Sequence, residues 1–403
     1  MKLNSKNHTS SKIYSIYNYL YIILYQILYL ILSYYYTFFL IIFISNKIIY
    51  LFYNVHTYFN SIKNNSKRRR KSYTNQIPNG WYKLCDSWDI KRGELKLINA
   101  FHREYLLYRS DTVSENINII DPYCPHMGAN LYNGGKVKGN CVQCPFHSWC
   151  INGEGQVEDI PNCDKIHKVQ AEKYHILEKY HMILFWYHTE NKKPEYQPFP
   201  KIDENFIYRG NFKSRNIHMN IQEFAENAAD YQHFSPVHGN FMIPWTGIEL
   251  TSIKVCHNIN WRIDKDLPHK SYFTNEVSGI SIFNKNIKYT NAKAEIYFTG
   301  PPGVVVFQFT LPLFSLLPSI ILFQSHLPVD SLELQCDFNY YSHNKLPNFI
   351  VSYVIGSWIS QWHNDLEIWE NKIYKSKPYL VKTDGPILKN RRWMKQFYSL
   401  SDW

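Results

Sequence analysis

The sequence predicts an α+β protein in three parts. An N-terminal membrane anchor comes first, then a small all-β domain carrying a metal-ligand pattern, then a larger domain of antiparallel sheet and helix. Three observations lead there. Residues 13–46 hold no charged residue and no histidine. From Trp81 the chain breaks into short alternating segments between turn residues. Beyond residue 200, an alanine-bearing helical run at 223–238 is answered by an amphipathic helical run at 361–370. On this division residues 1–60 contain the anchor, 61–80 a basic linker, 81–190 the first domain and 191–403 the second.

The thirty-four uncharged residues from Ile13 to Asn46 are rich in Ile, Leu, Tyr and Phe. That exceeds the roughly 20 residues a helix needs to span a bilayer. A cleaved signal peptide has an apolar core of only about 7–15 residues and a small-residue cleavage site, and neither fits. One tilted span or a tight hairpin is expected. The run Lys67-Arg68-Arg69-Arg70-Lys71 follows. Beside a membrane segment it reads as a positive-inside determinant, which puts the rest of the chain in the cytosol. It is also suited to anionic lipid heads. The formal charge of +11 is otherwise scattered, so no nucleic-acid module is expected. Pro78-Asn79-Gly80 closes a polar linker.

Strands are expected at Glu94–Asn99, Glu104–Arg109, Asn116–Ile120, Gln156–Glu158 and His181–His188. Among them lies Cys124-x-His126, then seventeen residues, then Cys144-x-x-His147. Two thiolates and two imidazoles on paired loops suit a Rieske [2Fe–2S] cluster, in which one iron keeps two cysteines and the other takes two histidines. Zinc sites tend to group C-x-x-C with H-x-x-H, whereas Cys and His alternate here; only Cys141 and Cys144 make a C-x-x-C. Eight cysteines show no regular pairing, so those outside the cluster are expected as free thiols in a reducing compartment. Asn191–Pro200, with Lys, Pro and Glu, reads as an inter-domain linker.

In the second domain, Glu223–His238 places Asp230 and His233 three apart on one helical face. Pro236 is expected to end that helix, leaving His238 on the turn beyond. Two imidazoles there, with a carboxylate from elsewhere, would make the two-His-one-carboxylate triad of oxygen-activating Fe(II). Asp365 is the preferred carboxylate, on a helix whose apolar side holds Trp362, Leu366 and Trp369. His363 and Glu367 compete with it on the residues alone. Asp230 reads as a supporting group rather than a ligand.

The runs Pro78-Asn79-Gly80-Trp81-Tyr82, Tyr123–Leu131, Gly134-Gly135-Lys136-Val137 and Cys144-Pro145-Phe146-His147 resemble the Rieske oxygenases, and more narrowly the animal cholesterol 7-desaturases. The resemblance covers about residues 75–380. It implies a helix-grip catalytic domain, Cys124, His126, Cys144 and His147 on the cluster, and His233, His238 and Asp365 on a mononuclear Fe(II). It implies that Asp230 carries electrons between a cluster histidine and an iron histidine, across neighbouring subunits of a homotrimer. It implies desaturation of cholesterol at C7 with O2, at the endoplasmic reticulum membrane. Ser148 departs from the glycine usual there. The extra disulfide of respiratory Rieske proteins would fall at Ala129 and Phe146, and neither is Cys, which favours an oxygenase over an electron carrier.

No G-x-G-x-x-G follows a strand, so electrons from NAD(P)H must arrive through a separate reductase. The apolar stretch Gly303–Leu327 is expected mostly as sheet core, with some of it lining an apolar substrate pocket or touching the bilayer near its mouth. The ligands do not distinguish desaturation from hydroxylation, so another sterol or steroid oxygenase is the alternative.

Overall fold

The computed structural model describes residues 23–45, 47–48, 67–163, 169–283, 285–287, 292–310 and 320–399. Residues 13–22 and 46 of the expected anchor lie outside them. Helix α1, Ile23–Ser45, is the one described helix long and apolar enough to cross a bilayer. Its 23 residues rise about 34 Å, close to the ~30 Å hydrocarbon core. The basic run that follows forms a single turn, α2 (Lys67–Arg70).

Strands β1 (Gly80–Asp86), β9 (His175–Lys179) and β10 (Met182–Tyr187) make one antiparallel sheet in the order β1-β10-β9. Strands β2 (Leu95–Ala100), β3 (Arg103–Arg109) and β4 (Ile117–Ile120) make a second. Strands β5 (Lys136–Lys138), β6 (Cys141–Gln143), β7 (Cys150–Asn152) and β8 (Val157–Asp159) make a third. The strands expected from alternation are all present, within a residue or two. The cysteine expectation is corrected: Cys141 and Cys150 form a disulfide, their Cα atoms 5.6 Å apart on β6 and β7. Antiparallel pairing of these two strands brings the residues together, a relation their spacing does not signal. Cys85 and Cys336 are buried free thiols, as expected.

The second half is built on one large antiparallel sheet. Its strands are β11 (Phe206–Ile217), β12 (Asn240–Met242), β13 (Glu249–Ile263), β14 (Lys270–Ile282), β15 (Lys285–Ile287), β16 (Ala292–Thr299), β17 (Val304–Thr310), β18 (Ile320–Asp330) and β19 (Glu333–His343). The order is β11-β19-β18-β17-β16-β14-β13-β12, with β15 on β14. Gly303–Leu327 is sheet core in its described parts: Val304, Val305, Phe307, Leu322 and Phe323 are buried. Helix α5 (Asn348–Trp369) lies against this sheet and buries Ile355, Ile359, Trp362, Leu366 and Trp369. Gly356 lets the Trp245 indole lie against α5, since a Cβ there would meet it at 2.4 Å. Helix α6 (Ile387–Lys395) closes the described chain.

Two features tie the halves together. The β2–β3 turn docks on β18, with Phe101 and His102 N–H donating to the Pro328 and Val329 carbonyls. Beneath it Lys83 is fully buried, within 2.6 Å of Asp86, 2.7 Å of Asp337 and 2.8 Å of Asn339. Both expected linkers are packed rather than free: Tyr73, Ile77 and Phe199 are buried. The basic run also differs from expectation at one residue. Arg69 is 1% exposed and donates to the carbonyls of Trp369 (2.8 Å) and Lys372 (3.0 Å), at the C-terminus of α5. A guanidinium there satisfies end carbonyls and complements the helix dipole.

Candidate active site

The two Cys/His loops fold alike. Gly128 N–H donates to the Cys124 carbonyl (2.9 Å), and Ser148 N–H to that of Cys144 (3.1 Å). Both residues are left-handed, at φ 71° and 58°. Ser148 therefore holds a position that the first loop gives to glycine, which is the physical content of the departure noted in the sequence. Cys124 and Cys144 are buried, whereas His126 and His147 are exposed, with ring centroids 4.8 Å apart. Burial, with Cys144 alongside, pushes the Cys124 thiol above its ordinary pKa. Two thiols crowded under two imidazoles fit a cationic cluster with a thiolate side and a histidine edge. Trp149 stacks on His126 at 4.2 Å, a contact missed in the sequence although the aromatic lies two residues after His147. Met127, Phe146 and Tyr132 stand exposed around this edge.

The second constellation is assembled from three elements. Helix α3 (Ile221–Asn227) is capped by Asn220, whose side chain accepts from Gln222 N–H. The expected continuous helix is corrected here: α3 ends at Asn227, and Asp230 lies in a loop. Tyr231 N–H donates to the Asp384 carbonyl, a tertiary bond that competes with helix continuation. Pro236 does not end a helix but sits inside α4 (Phe234–His238), where a first-turn N–H has no helical partner to lose. His238 is the last residue of that turn rather than beyond it.

His233, His238 and Asp365 converge, each offering a ligand atom within 4.8 Å of the others. His238 Nε2 is 3.2 Å from Asp365 Oδ1. His238 Nδ1–H donates to Gln361 Oε1 (2.7 Å), and His233 Nδ1–H to the Asp230 carbonyl (2.7 Å). Each bond turns the Nε2 lone pair toward the centre. His233 Nε2 is buried without a hydrogen-bond partner, as suits an atom meant for a cation. Burial opposes charge on His238, yet Asp365 and Gln361 hold its pKa above the ordinary value. Asp365 Oδ2 accepts from Asn227 (3.3 Å). The competing residues do not join: Glu367 is exposed, and His363 is turned toward Phe212, its pKa lowered by burial to about 4.

The triad separates two cavities. One, of ≈ 260 Å³, runs between α5 and the sheet and is lined mainly by apolar residues, among them Phe273, Phe307, Phe309 and Trp358. Its polar exceptions include His257 and Asn275, 3.1 Å apart; His257 Nε2–H also donates to the His238 carbonyl (3.0 Å). The other cavity, of ≈ 240 Å³, is mixed: Glu223, Glu226, Asp230, His233, Lys372 and Arg391 share its lining with apolar residues such as Ile368, Trp369 and Leu380. The Asp230 side chain is 38% exposed, its carboxylate 3.8 Å from His233 Nδ1. Burial acts to raise its pKa, but hydrogen bonds from His233 and Gln232 hold it below the ordinary value. Gln361 and Asn227 were not singled out in the sequence. Gln361 is recognisable only once Asp365 is chosen, one helical turn away on the same face.

Comparison with known proteins agrees with this geometry. The Rieske [2Fe–2S] domain family matches residues 80–175, and the 3-ketosteroid 9alpha-hydroxylase C-terminal domain family matches 185–398. A cholesterol 7-desaturase of Hemicentrotus pulcherrimus is 31% identical over 353 residues, 84% of this chain and 74% of that protein. The cholesterol 7-desaturase of Caenorhabditis elegans is 29% identical over 338 residues, 80% of this chain and 77% of that one. The oxygenase component of a 3-ketosteroid-9-alpha-monooxygenase from Rhodococcus rhodochrous is 24% identical, over 79% of each chain. The crystal structure of dicamba monooxygenase bound to dicamba shares the fold, with a TM-score of 0.57 at 15% identity, covering 80% of this chain and 98% of that one.

Proposed function

We propose a function from one premise: the chain belongs to the cholesterol 7-desaturase family of Rieske oxygenases. It introduces the C7–C8 double bond into cholesterol to give 7-dehydrocholesterol. Two hydrogens leave the sterol; with two electrons and a proton from NAD(P)H, and one further proton, they reduce O2 to two waters. The observation that carries this reading is the His233–His238–Asp365 triad lying between an apolar cavity and one that carries several charged side chains.

Residues 81–190 are assigned to the cluster domain and 191–403 to the catalytic domain. Cys124, His126, Cys144 and His147 would hold the [2Fe–2S] cluster, and His233, His238 and Asp365 a mononuclear Fe(II). When bound, the cluster supplies single electrons and the Fe(II) supplies open positions for oxygen chemistry. Gln361 and the Asp230 carbonyl fix the imidazole tautomers. The phenylalanines and Trp358 orient an apolar substrate and exclude water. Asp230, partly exposed on the side away from the apolar cavity, links His233 to a cluster histidine of a neighbouring copy, in a trimer. A separate reductase brings electrons from NAD(P)H. Helix α1 anchors the chain in the endoplasmic reticulum membrane, with both domains on the cytosolic side.

The second reading is another sterol or steroid oxygenase, a ring hydroxylase or side-chain-cleaving enzyme. It is favoured by the ketosteroid hydroxylase family match over the catalytic half. The test is sterol profiling of cells that express the chain with a reductase and are fed cholesterol, with His233→Ala as control. A conjugated 5,7-diene that depends on His233 supports the desaturase. A hydroxysterol or shortened side chain moves the assignment to the second reading.

A further inference from the structure

The apolar cavity has a direction. Along α5 it is lined by Asp365, Trp362, Gln361, Trp358, Val354 and Tyr353. Twelve residues separate Asp365 from Tyr353, about 18 Å of helix rise. The inner end is buried, with Asp365 5% exposed. The outer end is open, with Tyr353 37% exposed and the Lys293 side chain 42% exposed.

Two large apolar side chains stand exposed beside the end of β14, whose Val277 and Ile280 line the cavity. Phe283 is 78% exposed, beside β15, and Ile287 is 40% exposed on β15. Ile287 pairs with Ile280, which lines the cavity. Exposed apolar side chains next to an open apolar cavity are a pattern of surfaces that meet more than water.

The anchor arrives at the same place. Phe39 of α1 meets Phe349 edge-on, centroids 6.2 Å apart, one helical turn before Tyr353. Phe39 lies six residues inside the C-terminal end of α1, about 9 Å along the helix axis. The contact thus falls within the apolar span, not at its edge. A chain fixed there brings the first turn of α5 to the headgroup–acyl boundary, the depth at which amphipathic elements seat themselves.

We propose that the cavity mouth at Tyr353, Phe283 and Ile287 is seated in the bilayer that holds α1, so that the sterol enters sideways from the acyl layer. This rests on the reading that α1 spans a membrane and that the apolar cavity is the substrate site. The partner is a phospholipid surface, because the mouth is apolar and continuous with the anchor. The arrangement spares an insoluble substrate a passage through water and brings it to the triad along α5.

The test uses the full chain in phosphatidylcholine vesicles, with the photoreactive amino acid benzoylphenylalanine at position 283, or at the exposed Val113 of the cluster domain as control. Irradiation should attach phospholipid at 283 and none at 113. Equal labelling at both, or none at 283, overturns the proposal. A functional arm uses Phe283→Asp, outside the cavity lining, at a left-handed position (φ 47°) that Asp tolerates. Turnover of cholesterol held in vesicles should fall about tenfold, the order expected for losing one inserted aromatic. Turnover of cholesterol delivered from cyclodextrin should stay at the wild-type level. An equal fall in both assays, or in neither, overturns the proposal and would favour delivery by a soluble carrier. If the wild type makes no diene by either route, the substrate reading fails, while the crosslink still reports on the mouth.

Discussion

Replacing Gln361 with Leu tests whether the triad is tuned from its surroundings. Gln361 Oε1 accepts from His238 Nδ1–H at 2.7 Å, and at 6% exposure His238 offers little surface to a replacing water. Leaving a buried N–H unpaired costs about 1–3 kcal/mol. The freed ring can also turn or change tautomer, pointing a proton rather than a lone pair at the metal. Losing such an orienting partner weakens metal affinity by about 10–100-fold, or roughly 1.4–2.7 kcal/mol. The two figures agree. The assay is Fe(II) titration of protein whose mononuclear site has been emptied by mild chelation, with the visible spectrum of the cluster as internal control. Gln361→Leu should bind Fe(II) within that weaker range and keep its cluster spectrum. Gln361→Glu retains an acceptor and should bind near the wild-type level. Wild-type affinity in the Leu variant, or parallel loss of both metals, would refute the reasoning.

Asp230→Asn should retain both metals and lose turnover severely; single-turnover reduction of the triad iron by the pre-reduced cluster measures this, and a wild-type rate removes Asp230 from the electron path. Ser148→Gly should stabilise by about 0.5–1 kcal/mol, since a left-handed side chain costs about 1–2 and the added chain entropy returns part of it; thermal loss of the cluster spectrum is the readout. Lys83→Met should cost about 1.5–3 kcal/mol in denaturant unfolding, because it removes the cation shared by Asp86 and Asp337 and leaves each with one partner, Lys213 and Arg215. Burial acts to raise both carboxyl pKa values, but Lys83 and its neighbours hold them below 3.8. Their contribution is therefore present above pH 3.8 and lost as pH falls toward the lower folded values; in Lys83→Met that acid loss should start at higher pH.

The local chemistry was legible from the sequence wherever it is written in consecutive residues. The proposed cluster ligands sit on two short loops, and alternation marks the strands around them. The histidine pair was legible too, although its backbone was not, because Tyr231 is drawn away by Asp384 from the other end of the domain. Asp365 stood against His363 and Glu367 until the sheet fixed which face of α5 looks inward. Gln361, Asn227 and the Cys141–Cys150 bond were invisible for the same reason: their partners are chosen by strand pairing and helix placement. The basic run was legible as charge and illegible as structure.

Arg69, in that run, bears on how a soluble form should be cut. If residues 67–71 were only a charge label, Ser72 would be the natural first residue. Such a chain lacks Arg69, and α5 then ends on a buried Trp369 carbonyl with no guanidinium, one turn from Asp365. Such a chain should bind Fe(II) more weakly than one beginning at Lys67, which titration of the two checks, and the loss would pass for a need of the membrane. A chain beginning at Lys67 keeps the guanidinium and separates the two dependences.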